Sequence, residues 1–154
     1  MDSDECDIRI DIDCQVENSF DLDRYRSLAE SVCNRFSVSK AAVSIAIVND
    51  EAIAVINKQF LDHTGPTDVI SFDLSDDDEA AERNFEIVIN ADQAARQAAE
   101  RPHDTEAELA LYITHGLLHN FGYDDHEEED YKKMHKIEDE ILTQQGYGII
   151  FGKP

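Results

Sequence analysis

The segment HDTEAELALYITHGLLHNFG, residues 103–122, constrains the chain more than any other. Leu109, Tyr112, Ile113, Leu117 and Phe121 recur at three- and four-residue intervals, the broad apolar stripe of a helix that other elements must cover. Thr105 with Glu108 three residues later has the spacing of a capping box, and the acidic first turn suits the helix dipole. Gly122 is placed to end the helix in a left-handed cap. Within this apolar setting stand His115 and His119, four apart and therefore on one face, with Cβ atoms about 5–6 Å apart. Unpaired imidazoles are costly there, and the reversal at Gly122 brings Tyr123-Asp124-Asp125-His126 back toward them. Two imidazoles and a third ligand from the turn leave one position for water, the arrangement of a catalytic zinc with one ion per chain. The competing reading is a pair of core histidines bonded to backbone. His63, His103 and His135 stand isolated in polar settings and read as surface residues.

Gly116 occupies the place where the H-E-x-x-H helix of zinc proteases carries its glutamate base, which disfavours a protease. A mid-helix glycine costs about 1 kcal/mol, so it marks close approach by a strand or a substrate.

Upstream, the period of the apolar residues switches repeatedly. Ile8, Ile10 and Ile12 alternate with polar residues as in a half-buried strand. From Leu22 the spacing becomes helical through Tyr25, Leu28, Ala29, Val32 and Phe36, with Asp21 as N-cap. AVSIAIV (42–48) is a more buried strand, and the following helix, capped by Asn49, is expected to bury Ile53, Ile56 and Phe60. Gly65-Pro66 ends that helix ahead of a strand over 69–72, residues 75–83 form a charged, solvent-facing connection, and 84–90 alternate as a fourth strand. Helices over 91–100 and 126–145 complete the order β, α, β, α, β, β, α, α, α. The expectation is an α+β fold, a single domain over residues 1–154 with one four-stranded mixed sheet, helices packed on it, and the zinc site on a central helix and its following turn.

Composition narrows the setting. With 154 residues, 42% of them hydrophobic, one core is expected, and no run is long and apolar enough for a membrane span. The acidic start lacks a secretory pattern, so a cytoplasmic location is the expectation. Cys6, Cys14 and Cys33 are an odd number with no C-x-x-C pair, which fits reduced thiols. A formal charge of −22 repels nucleic acid and anionic membranes unless a cation or a local basic patch intervenes.

HGLLHNFGYDDH resembles the H-G-x-L-H-x-x-G-Y-D-H signature of the YbeY family of endoribonucleases, also called rRNA maturation factors. GPTDVISF (65–72) is similar to the family's P-T-D-V-L-S-F segment, EIVIN (86–90) to its G-D-I-V-I strand, and EDEIL to part of its closing helix. The resemblance spans residues 43 to 145. It implies a zinc-dependent, single-strand-specific endoribonuclease of 16S rRNA 3′-end maturation and ribosome quality control, with rRNA, the small subunit and a basic ribosomal protein as partners. Three departures stand out. The family's third ligand position falls on Asp125, whereas His126 is reached only through a one-residue insertion, so Asp125 is preferred and His126 is the alternative. In the first case Asp124 matches the family's aspartate and orients a ligand from outside the coordination sphere. Leu61 stands where many members carry an arginine, a loss that His63 or Arg96 would have to offset, and Phe85-Glu86 replaces Gly-Asp.

The mechanism so implied is metal-assisted phosphodiester cleavage, with Glu86 and Asp68 as candidate general bases and Thr67 and Ser71 as candidate hydrogen-bond donors to phosphate. Two rivals remain: a zinc metallopeptidase-like hydrolase, and a noncatalytic ribosome-associated factor whose metal is structural.

Overall fold

The computed structural model describes residues 7–76 and 82–147. The elements follow the expected order: β1 (Asp7–Cys14), α1 (Leu22–Arg35), β2 (Lys40–Val48), α2 (Asp50–Leu61), β3 (Val69–Asp73), β4 (Arg83–Asn90), α3 (Ala91–Ala99), α4 (Thr105–Asn120) and α5 (Glu128–Gln144). The strands form one mixed sheet in the order β1-β2-β4-β3. β1, β2 and β4 run parallel, and β3 pairs antiparallel with β4. The fold is α+β. Residues 77–81 of the charged connection, and Cys6, lie outside the described residues; Cys14 and Cys33 are free thiols. No helix of the described residues is long and apolar enough to cross a membrane.

The period-2 strands split the sheet into two unlike faces. Val43, Ile45, Ile47, Phe85, Ile87 and Ile89 point into the main core against α1, α4 and α5. The opposite face holds a smaller cluster of Val48, Ile53, Ile70 and Val88, covered by α2. Phe60, expected to be buried with Ile53, is 61% exposed; it sits in the last turn of α2 and meets Phe72 of β3 edge-on.

α4 is the central helix, lying on β3 and β4 and flanked by α1, α3 and α5. Nearly every residue from Ala107 to Leu118 is buried. Gly116 explains how it sits so close: a Cβ there would be 3.2 Å from Cγ2 of both Ile87 and Val69. The close approach is therefore to the sheet rather than to a substrate. The helix start differs from the expected capping box. Asp104 is the N-cap, accepting from Ala107 N at 2.9 Å, while Glu108 is drawn to His103 instead of back to the cap. At the other end Gly122, at φ +97°, turns the chain back as expected.

Asn90 positions the approach to the site from the other side. Fully buried, it caps α3 through its side-chain oxygen, and its amide donates to Asp50 and to the Thr67 carbonyl. Its backbone N–H donates to the Asp68 carbonyl at 2.9 Å. Residues 67–68 are thus held at the mouth of the sheet.

Candidate metal centre

His115 and His119 project from the last turns of α4 with their rings 4.5 Å apart and nearly perpendicular. Their Nε2 atoms face each other at 3.0 Å. The outer nitrogens decide the protonation. His119 Nδ1 lies 3.0 Å from the Tyr123 carbonyl oxygen, which only accepts, so Nδ1 must donate. His115 Nδ1 lies 2.7 Å from Oε2 of Glu138, whose carboxyl is held below its ordinary range: burial works against the charge, but hydrogen bonds from His115 and His135 outweigh it. With both protons on Nδ1, two bare Nε2 lone pairs converge at 3.0 Å, an arrangement that a proton or a metal ion between them relieves.

The third group is Asp125, delivered by the turn after Gly122. Its Oδ2 is 3.6 Å from His115 Nε2, and His115, His119 and Asp125 offer ligand atoms all within 4.8 Å of one another. His126 is placed otherwise. Its side chain is 85% exposed, its Nε2 is 3.5 Å from Asp124, and among the described residues it joins no such group with the two imidazoles. Asp124 accepts from the His126 backbone N–H at 3.1 Å and thereby shapes the turn; among the described residues no hydrogen bond joins it to His115 or His119. The donor set of two imidazoles and one carboxylate, partly buried and tautomerically fixed, fits a divalent transition metal of the zinc kind. At His115 burial disfavours the imidazolium, yet the Glu138 bond and the charges of Glu138, Asp125 and Asp68 prevail and raise its pKa. A proton and a metal ion therefore compete for the same nitrogen.

The site opens on a cleft of about 290 Å³ whose wall includes Asp68, Arg101, Tyr112, His115, Asp125 and His135. Asp68 is thus brought to the same cleft as His115 and Asp125. Glu86 is not: it lies on the opposite face of the sheet beside Asp11, Asp13 and Ser44, because it alternates with the core-facing Phe85 and Ile87. Thr67 donates to Asp68 Oδ1, and Ser71 sits on β3 opposite Ile87. Leu61 and His63 are exposed. Arg96 is committed to Asp50, both terminal guanidinium nitrogens bonding its carboxylate at 2.8 and 2.9 Å, so it does not offset the missing arginine.

Two histidines read as surface residues are in fact inside. His103 bonds Glu108, and His135, 8% exposed, bonds Oε1 of Glu138. Glu138 itself was missed. Its signal was present: it falls on the stripe Met134, Ile137, Ile141 and Leu142 of α5, where a charge without a partner would be untenable.

The sequence profile of the endoribonuclease YbeY family matches residues 11–146. The chain belongs to the YbeY family. A protein of that name from a Nocardioides strain is 36% identical over 131 residues, covering 80% of this chain and 88% of the relative. The YbeY of Bacillus licheniformis is 40% identical, with 69% and 73% covered, and that of Shouchella clausii 33% identical, with 90% and 97% covered. The solution structure of a Thermotoga maritima protein shares the fold, with a TM-score of 0.59 and 24% identity over 89% of this chain and 90% of that one. The YbeY match takes in both imidazoles, Asp125 and Glu138.

Proposed function

We propose that this chain is a zinc-dependent endoribonuclease specific for single-stranded RNA, folded as one hydrolase domain over residues 1–154. One zinc ion per chain is held by His115, His119 and Asp125. Its substrate is the 3′ end of 16S rRNA, on the small ribosomal subunit in the cytoplasm, within rRNA maturation and ribosome quality control. The observation that carries this reading is the convergence of two unprotonated imidazole nitrogens and a carboxylate at the wall of an open cleft, in a chain whose relatives bear the name endoribonuclease. When bound, zinc supplies Lewis acidity, offsetting charge that develops on a phosphodiester and making water acidic enough to react near neutral pH.

The remaining work falls to side chains. Asp68 keeps both of its side-chain hydrogen bonds on Oδ1, from the Val69 amide and Thr67, which leaves Oδ2 to take a proton from the attacking water. Arg101 lines the same cleft with its guanidinium 3.5 Å from Glu108, so the charge it offers a phosphate is shared with that carboxylate. Tyr131, 47% exposed at the same cleft, offers a ring face on which a base can stack.

The test is cleavage of a labelled single-stranded RNA bearing the 16S 3′ end by zinc-loaded protein, beside a His115→Ala variant purified identically. Cleavage lost in the variant supports the reading. Equal cleavage by both sinks it as contamination, and none by either moves the assignment to a noncatalytic ribosome-associated factor.

A further inference from the structure

Glu138 is the one charged residue on the buried stripe of α5, with no exposed surface. A carboxylate there is worse for stability than a well-packed aliphatic side chain unless its oxygens are engaged. Both are engaged, and by imidazoles: Oε2 accepts from His115 Nδ1 at 2.7 Å and Oε1 from His135 Nδ1 at 2.5 Å. His135 in turn is boxed by the Tyr131 ring, edge-on at 4.0 Å between centroids, and lies nearly parallel to His115 at 6.4 Å. The carboxylate is thus gripped from one side and presents a fixed acceptor on the other.

We propose that Glu138, clamped by His135, is a positioning residue that fixes the proton of His115 on Nδ1 and so keeps Nε2 aimed, lone pair outward, at His119 and Asp125. The inference rests on the metal-site reading above. His119 needs no such device, since a backbone carbonyl holds its tautomer. Without Glu138, the His115 ring is free to carry its proton on Nε2, which faces His119 at 3.0 Å and would then donate to it as an ordinary hydrogen bond. A ligand would become a donor. Carboxylates behind metal-binding imidazoles act in this way generally.

Glu138→Gln is the informative substitution because it keeps shape while replacing one acceptor oxygen by a donor amide. One of the two imidazoles must then accept at Nδ1. Zinc affinity, measured by chelator competition, is expected to fall about 10- to 100-fold. The ¹⁵N shifts of His115 in metal-free protein, above the pH of imidazole titration, are expected to show Nδ1–H in wild type and a mixture with Nε2–H in the variant, with His119 unchanged. His135→Phe, which keeps the carboxylate but releases its far oxygen, should lower affinity less and leave His115 as Nδ1–H. Wild-type affinity in Glu138→Gln overturns the proposal while leaving the metal site standing. So does an Nε2–H tautomer in the wild-type protein, which needs no variant to fold. A wild-type chain that takes up no zinc overturns both.

Discussion

Two buried carboxylates meet imidazoles at opposite ends of α4, and they come to different ends. Glu108, 1% exposed, bonds His103 and lies 3.5 Å from the Arg101 guanidinium, both within seven residues of it in sequence. The other nitrogen of His103 is buried and meets no hydrogen-bond partner among the described residues. Glu138 takes its histidines from two helices, and the other nitrogen of His115 points at a second imidazole and a carboxylate. The pairing of acid with imidazole is the same in both. Where the remaining nitrogen points separates a local tie, which closes the α3–α4 connection, from a place where an ion can sit.

Removing either side should break this contrast in different ways. The largest effect is expected from His115→Ala or His119→Ala, which should abolish zinc binding and reduce RNA cleavage to the no-enzyme rate; retained stoichiometric zinc in either variant would contradict the assignment. Gly116→Val attacks the same region by packing alone. A branched side chain pressed against Ile87 and Val69 should cost about 3 kcal/mol in urea unfolding, since overpacked cores lose about 1–3 kcal/mol or more. At the other end, His103→Ala strands Glu108 beside Arg101 and should cost about 2 kcal/mol. Its zinc affinity should stay at the wild-type level. A matching loss of zinc there would erase the distinction between the two pairs.

The smallest effect is in pH. The imidazole of His115 is held above its ordinary 6.5, chiefly by Glu138 acting against burial, so its contribution to stability is complete below 6.5 and is lost as pH rises through the higher folded value. The carboxyl of Glu138 is held below its ordinary 4.5, so its contribution is present above 4.5 and is lost as pH falls through the lower folded value. Metal-free protein should therefore be most stable between these limits. Zinc-loaded protein should instead gain as pH rises past 6.5, because the ligand nitrogen must be bare. Thermal melts with and without zinc should diverge above that pH; parallel curves would place the ion elsewhere.

The secondary structure was legible because periods of two and of three to four alternate cleanly along the chain, as Ile8, Ile10 and Ile12 against Tyr25, Leu28 and Val32 illustrate. Errors arose where tertiary partners overruled local pattern. Thr105 and Glu108 have capping-box spacing, but Asp104 lies one residue earlier and His103 claims the glutamate. Phe60 keeps helical register with Ile53 yet, in the last turn of α2, meets Phe72 edge-on and is left 61% exposed. At the site, the imidazole pair was legible from its spacing, and the turn at Gly122 from its glycine. His135 was not, since its partner is an acid buried on the same helix face. Glu86 was misplaced for a simpler reason: alternation on β4 sends it away from α4.

The two imidazoles also differ in how inheritance can reach them. The acceptor behind His119 is the main-chain oxygen of Tyr123, which survives any codon change at that position. The acceptor behind His115 is a side chain, 23 residues downstream, that a single nucleotide substitution can replace. Heritable adjustment of this centre therefore runs through the last helix, one half of the site being open to selection through its support and the other fixed by the peptide bond.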